Sequence, residues 1–147
     1  GGVGYLKAEY GDFMNGPPPI VTSSNAPFQD LSGEPLLQAP DWSVSGSIGY
    51  TLPILNGLDL VTQVDFSYRG AHFVELSNSD FLANDATTLV NFSMLLELPD
   101  QWSIQIYAKN ITDEEAYSFA VALPVTQGAA ATLLEETTWG IVGRVYF

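Results

Sequence analysis

The sequence predicts an all-β chain of six antiparallel strands running up and down in chain order. Three observations lead there. Six segments alternate apolar and polar residues with a period of two, the period at which a pleated strand shows its two faces. Short and long connections alternate between those segments. In the last five segments every charge falls on the same one of the two faces.

The first segment, residues 1–10 (GGVGYLKAEY), carries the weakest pattern. The second, 42–52, has no exception. Trp42, Val44, Gly46, Ile48, Tyr50 and Leu52 share one face, and Ser43, Ser45, Ser47, Gly49 and Thr51 the other. In 58–69, Leu58, Leu60, Thr62, Val64, Phe66 and Tyr68 oppose Asp59, Val61, Gln63, Asp65, Ser67 and Arg69. In about 88–98, Val90, Phe92, Met94, Leu96 and Leu98 oppose Leu89, Asn91, Ser93, Leu95 and Glu97. In 102–110, Trp102, Ile104, Ile106 and Ala108 oppose Ser103, Gln105, Tyr107 and Lys109. In about 137–147, Trp139, Ile141, Gly143, Val145 and Phe147 oppose Thr138, Gly140, Val142, Arg144 and Tyr146. Aromatic residues stand near the ends of the uncharged face: Trp42, Tyr50, Tyr68, Trp102, Trp139 and Phe147. A membrane-spanning barrel shows lipid an apolar belt between two aromatic bands. A soluble sheet that packs its apolar face inward alternates in the same way.

The connections favour the first of these two cases. Residues 53–57 (PILNG) and 99–101 are short links, whereas 11–41, 70–86 and 111–136 are long. Long loops are uncommon in compact soluble domains, but outer-membrane barrels pair short periplasmic turns with long external loops. The acidic residues follow the same division. Glu9, Asp59, Asp65, Glu97 and Asp100 lie on strands or a short turn, and the other 12 of 17 lie in the three long segments. In that arrangement the first, third and fifth strands run outward, and Phe147 ends at the periplasmic edge.

Composition removes several function classes. The 147 residues are 46% hydrophobic and 14% charged, with a net charge of −13; an ordinary soluble domain is about 25% charged. That hydrophobicity excludes a disordered chain, and the scarcity of Glu, Lys and Arg excludes a coiled coil. Four basic residues against 17 acidic ones repel a phosphate backbone and argue against a nucleic-acid partner. Without Cys there is no disulfide framework or thiolate metal site. A single histidine, His72, leaves no multi-histidine metal site and no Ser-His-Asp set. The expectation is a protein that is not an enzyme and carries no metal or cofactor. No stretch approaches the ~18 apolar residues of a membrane helix, although a spanning strand needs only ~9–11 residues.

Four stretches resemble the C-terminal part of a TonB-dependent outer-membrane receptor. Asp30-Leu31-Ser32-Gly33-Glu34-Pro35-Leu36 with Gln38-Ala39-Pro40-Asp41-Trp42 is similar to the loop leading into a late barrel strand. Gly57-Leu58-Asp59-Leu60, running on to Asp65-Phe66-Ser67-Tyr68-Arg69-Gly70, is similar to the next outward strand. Tyr107-Ala108-Lys109-Asn110-Ile111-Thr112-Asp113-Glu114 resembles the penultimate strand, which in the family typically ends in Asn-Leu-Thr-Asp. Trp139-Gly140-Ile141-Val142-Gly143-Arg144-Val145-Tyr146-Phe147 resembles the closing strand. Together these cover most of the chain from Asp30 onward; the first 29 residues match in pattern only.

The resemblance implies an up-and-down transmembrane barrel of 22 strands with a plugged lumen. At about 25 residues per strand with its loop, such a barrel takes roughly 540 residues. The sequence begins without Met and inside a strand pattern. Residues 1–147 are therefore expected to be one C-terminal piece, six strands, of a single barrel domain, without the plug domain and the earlier strands. Alone, six strands fall short of the roughly eight that close the smallest membrane barrel. They would leave two free edges and an apolar face in water.

The implied function is energised uptake of a large nutrient, such as an iron–siderophore complex, across the outer membrane of a Gram-negative bacterium. The implied partners are outer-membrane lipid, the nutrient, the barrel assembly machinery, and TonB through the receptor's N-terminal part. Phe147 with Val145, Ile141 and Trp139 is the expected assembly signal, read from an exposed strand edge, with Gly143 its weak member. Ligand contacts are expected from loop residues Phe28, Phe73, Phe81 and Tyr117 and from lumen residues Gln63, Gln105 and Tyr107. The alternative is a soluble β-sandwich that binds carbohydrate at its loop end.

Elsewhere simpler readings prevail. His72 is expected as an exposed loop residue. Asp113-Glu114-Glu115 and Glu135-Glu136 lack EF-hand spacing and are expected as solvated charge. Asp59 and Asp65 are expected to pair with Arg69, Arg144 or Lys109. Gly128 to Ala131 is expected as flexible loop. Asn91-Phe92-Ser93 and Asn110-Ile111-Thr112 fit the glycosylation sequon but lie on or at the ends of expected strands.

Overall fold

The computed structural model describes residues 1–19, 26–123 and 128–147, and the regular elements among them are strands and one short 3₁₀ segment. The strands are β1 (Gly2–Tyr5), β2 (Trp42–Leu55), β3 (Leu58–Arg69), β4 (His72–Phe73), β5 (Ala83–Asn84), β6 (Thr87–Leu98), β7 (Trp102–Lys109), β8 (Tyr117–Leu123), β9 (Gly128–Leu133) and β10 (Thr138–Val145). Six of them form one antiparallel sheet in the order β1-β2-β3-β6-β7-β10. Each expected strand is present, in the expected up-and-down order. The remaining four form two small hairpins, β4–β5 and β8–β9, inside the second and third long connections.

The boundaries follow from local chemistry. β3 coincides with its alternating segment. β2 runs past Leu52 to Leu55, with its register shifting between Pro53 and Leu55; proline cannot donate to a ladder and belongs at such an irregularity. Asn56 and Gly57 join β2 to β3 with φ of 55° and 81°, the two positive φ values of a type I′ hairpin turn. Pro99 and Asp100 join β6 to β7. Asp100 has φ 60° and the Gln101 N–H donates to the Leu98 carbonyl at 3.1 Å, as in a type II turn with proline at its second position.

Register carries the two-faced pattern across the whole sheet. Leu52, Leu60, Leu96 and Ile104 stand opposite one another in one row, and Ile48, Val64, Phe92, Ala108 and Trp139 in another. Serines, glutamines and every charged strand residue fall on the opposite face. Antiparallel pairing moves in steps of two, so one correct register fixes the face of every side chain. Phe66 lies over Gly46 on the uncharged face, where a Cβ on the glycine would come within 2.5 Å of the ring. An aromatic ring covering a strand glycine restores packing that the missing side chain gives up.

The three long connections lie at one end of the sheet, beside Trp42, Arg69, Thr87, Lys109 and Thr138. They are not structureless. The first folds back on itself: Leu36 N–H donates to the Ala8 carbonyl, Tyr10 to Glu34, and Gly16 and Gln29 exchange both backbone bonds. The burial of side chains is concentrated in this loop layer. Leu31, Val74, Leu82, Ala116 and Ala120 are its buried apolar residues, and Val74, Leu82 and Ala120 pack as one cluster with Tyr117 and Ala129 against them. In the six-stranded sheet, by contrast, only Thr87 and Ser103 are buried. Neither face of the sheet carries a second layer among the described residues.

Candidate ligand site on the charged face and the loop layer

Strands β3, β6, β7 and β10 bring one group of polar side chains together on the charge-bearing face. Gln63 stands opposite Ser93, Ser93 opposite Tyr107, and Tyr107 opposite Gly140. Asp65 stands opposite Asn91 one row closer to the loops. Beside Gln63 and Gly140 lies an open hollow of about 380 Å³ lined by Asp65, Asn91, Ser93, Gln105, Tyr107 and Lys109, with Phe92 and Ala108 also bordering it. Gln63 donates its amide to both carboxylate oxygens of Asp65, at 2.8 and 3.0 Å. Asn91 accepts the Asn110 backbone N–H through its Oδ1 at 3.0 Å. Tyr107 lies across the neighbouring strand. A Cβ built on Gly140 would sit 2.6 to 2.9 Å from its Oη, Cζ and Cε1 atoms. Any side chain at 140 would have to displace that ring, so the close approach needs a glycine there.

The charge arrangement departs from expectation here. Lys109 pairs with Glu135 at 3.4 Å, with both side chains more than half exposed, and Asp65 takes the Gln63 amide. Neither Asp59 nor Asp65 has an ion pair among the described residues. An acidic loop residue lies closer to Lys109 than the strand carboxylates do, and periodicity carries no information about that loop.

Two asparagines hold the loop layer together. Asn84 on β5 is buried; its Oδ1 accepts the Tyr117 N–H and its Nδ2 donates to the Tyr117 carbonyl, both at 2.8 Å. One side chain thus replaces a strand partner and fastens the β8–β9 hairpin to the β4–β5 hairpin. His72 corrects the sequence expectation: it is buried on β4 rather than exposed. Its Nδ1 lies 2.8 Å from the Gly70 carbonyl and its Nε2 3.4 Å from Asn84 Nδ2. A ring bonded through both nitrogens is satisfied in place.

Asn110 is the second hub, and it explains the Asn110-Ile111-Thr112-Asp113 stretch physically. With φ 48° it turns the chain out of β7 in a conformation that asparagine tolerates. Its Nδ2 donates to the carbonyls of Glu114 and Glu135, and its Oδ1 accepts the Glu114 N–H. Thr112 Oγ1 donates to the Thr88 carbonyl at 2.6 Å, and Thr137 Oγ1 donates to Asp113 Oδ1 and to the Asn110 carbonyl. The motif closes the loop between β7 and β10 and ties it to β6.

The other residues singled out by sequence are distributed as follows. Gln63, Gln105 and Tyr107 are brought together on the charged face. Phe28 and Phe81 are exposed in the first and second connections, and Phe73 is half-buried on β4. Tyr117 packs against the buried loop cluster. Trp139, Ile141 and Val145 stand exposed on the uncharged face of β10; Phe147 lies beyond that strand's end and is fully exposed. Residues Gly128 to Ala131, expected as flexible loop, form β9. A run of small residues pairs with β8 because a partner strand is present, which local propensity does not register. Sequence reasoning did not find Asn84 or Glu75, and it met Asn110 only as part of a strand-end motif and a sequon. Their signal is a polar side chain with no place in a period-two pattern. Glu75 is buried and accepts the Ser77 N–H at 2.8 Å and its hydroxyl.

Charge divides the molecule by level. Segments 11–41, 70–86 and 111–136 contain 12 of the 17 acidic residues and none of the four basic ones. Within that layer the described parts of the β8–β9 hairpin carry no charge, and Phe119, Val121 and Leu123 are exposed along β8. Comparison with known proteins gives no match: no family model fits the chain, and neither a curated protein nor a solved structure is similar to it.

Proposed function

We propose that this chain is barrel wall from a TonB-dependent outer-membrane receptor, and that the receptor takes up a large nutrient of the iron–siderophore kind. The observation that carries the reading is the asymmetry of one sheet. Its uncharged face exposes Val3, Ile48, Leu52, Ile106, Trp139 and Ile141, its other face holds every strand charge, and all three long connections leave from one end. The twelve residues of β3 rise about 40 Å, or about 30 Å when tilted by ~40°, close to the thickness of a hydrocarbon core. Tyr5 and Trp42 pack ring to ring at 4.8 Å near the loop end of that face, where an interfacial aromatic band belongs. The side chains of the sheet are unburied because lipid and the rest of a barrel would cover them. A soluble sandwich needs a second sheet packed on the apolar face, and both further hairpins lie in the loop layer instead.

Paired substitutions on β7 test this. Ile106→Arg places a charge on the lipid side and is expected to cost ~2–4 kcal/mol near the bilayer midplane. Gln105→Arg places the same charge on the lumen side and is expected to cost little. The measurement is folding of the receptor into lipid vesicles by denaturant titration. Equal costs for the two variants would remove the assignment of faces.

A further inference from the structure

The loop layer holds the buried imidazole of His72, and we infer that it belongs to an acid-released latch. His72, Asn84 and Tyr117 hold the β8–β9 hairpin on the β4–β5 hairpin while the imidazole is neutral, and release it when the imidazole takes a proton. The inference stands on the loop layer alone and does not depend on what covers the six-stranded sheet.

Donors and acceptors define the closed state. The Gly70 carbonyl can only accept, so His72 Nδ1, 2.8 Å from it, carries the hydrogen. Nε2 of the neutral ring is then a bare acceptor, and it takes one hydrogen of Asn84 Nδ2 at 3.4 Å. The other hydrogen of Nδ2 goes to the Tyr117 carbonyl, and Asn84 Oδ1 accepts the Tyr117 N–H. The amide has one workable orientation. Turned over, it would set its NH2 against the Tyr117 N–H and its oxygen against the Tyr117 carbonyl.

Protonation leaves no such arrangement. A charged imidazole donates from both nitrogens, so Nε2–H meets the Asn84 NH2 donor against donor. Turning the amide over satisfies the ring and breaks both bonds to Tyr117. Keeping the amide in place leaves a charged donor buried without an acceptor, which is costly. The latched hairpin thus binds the neutral ring, and the released one admits the charged ring. Closure is favoured at the higher pH and is lost as pH falls and the ring charges. Imidazole is the side chain whose ordinary chemistry changes charge between about pH 5 and 8.

The titratable groups on the surrounding elements are Asp41 in the first connection, Arg69 at the end of β3, Glu75 and Asp80 between β4 and β5, Asp85 after β5, Glu115 before β8, and Tyr117 on it. Among the described residues no carboxylate pairs with the ring, and the buried Glu75 takes the Ser77 N–H and hydroxyl instead. Release uncovers Val74 and Leu82, against which Ala120 of β8 packs. The base of the hairpin is held separately. The Leu134 N–H donates to the Ala116 carbonyl at 2.7 Å, and Asn110 bonds Glu114 and Glu135. The hairpin therefore undocks on a closed neck rather than unravelling.

The test uses the receptor folded in micelles of octyl tetraoxyethylene, a detergent with no titrating group. Three signals are read by NMR between about pH 7.5 and about pH 5: the His72 ring carbons, assigned through the His72 backbone; the exchange protection of the Tyr117 amide, corrected for the intrinsic pH dependence of exchange; and the nuclear Overhauser contacts of the Ala120 methyl with Val74 and Leu82. Tyr117 protection is expected to drop by about 10-fold or more and the Ala120 contacts to vanish, both following titration of the ring, while β3 protection stays within about two-fold. In His72→Gln, which cannot take the proton, Tyr117 protection is expected to stay level across the same range. Ring titration without release, release without ring titration, no release at all, or the same acid response in His72→Gln would each overturn the latch. If that variant does not fold, the coincidence of ring and hairpin signals in the unmodified protein decides.

Discussion

At the scale of single residues, the stabilising polar contacts belong to side chains that replace missing backbone partners. Asn84 is the clearest. Removing its amide leaves the Tyr117 N–H and carbonyl unpaired at about 1–3 kcal/mol each. Asn84→Ala is therefore expected to speed exchange of the Tyr117 amide by 10- to 100-fold while the amides of β3 keep their protection. An unchanged Tyr117 rate would show that the hairpin is held some other way. Asp30 makes a pH-dependent contact. Hydrogen bonds from the Ser32 side chain and backbone hold its carboxyl below the ordinary range. A depressed carboxyl stabilises the fold above its unfolded value of ~3.9 and stops doing so as pH falls through the lower folded value. Protection of the Ser32 amide is thus expected to persist at neutral pH and to fall in acid below about pH 4. A rate that follows only the intrinsic pH dependence of exchange would contradict this.

At the scale of elements, the strands owe their limits to turn chemistry and the hairpins in the loops owe theirs to partners. The Asn56-Gly57 and Pro99-Asp100 turns could be read from residue type, since positive φ at those positions favours asparagine, aspartate or glycine. β8 and β9 could not. Their residues carry no alternation of polar and apolar, and they pair because Asn84 and the Val74–Leu82 cluster present them with a surface. β10 is one of the two edge strands of the sheet, with Trp139, Ile141 and Val145 displayed on its uncharged face and Phe147 beyond its end. If that display is the assembly signal, deleting Phe147 lowers the amount of receptor in the outer membrane without changing its synthesis. Unchanged assembly, measured by outer-membrane fractionation, would take that role away from Phe147.

At the scale of the whole molecule, charge and burial are sorted along the strand axis. Acidic residues and side-chain burial gather in one layer, and the sheet between that layer and the short turns is exposed on both faces. A bilayer reading gives a topological prediction. A glutamate-specific protease added to intact cells is expected to cut only in the loop layer, at residues such as Glu34, Glu115 or Glu136, and to leave Glu97 on β6 whole. Cleavage at Glu97 in intact cells would contradict the orientation.

The sequence by itself determined the six strands of the large sheet, their order and the face of each side chain in the last five of them. Those properties depend only on a period of two and on residues such as Asn56, Gly57 and Pro99 that dictate turns locally. It also carried Gln63, Gln105 and Tyr107 to one face, because register is a consequence of the same period. Only the tertiary structure decided that His72 is buried, that Lys109 faces Glu135, that residues 128–133 form a strand, and that the Tyr107 ring sits against Gly140. Each of these depends on what another segment far along the chain puts beside the residue. Periodicity describes how a strand meets its surroundings, and it does not say which surroundings the fold brings there.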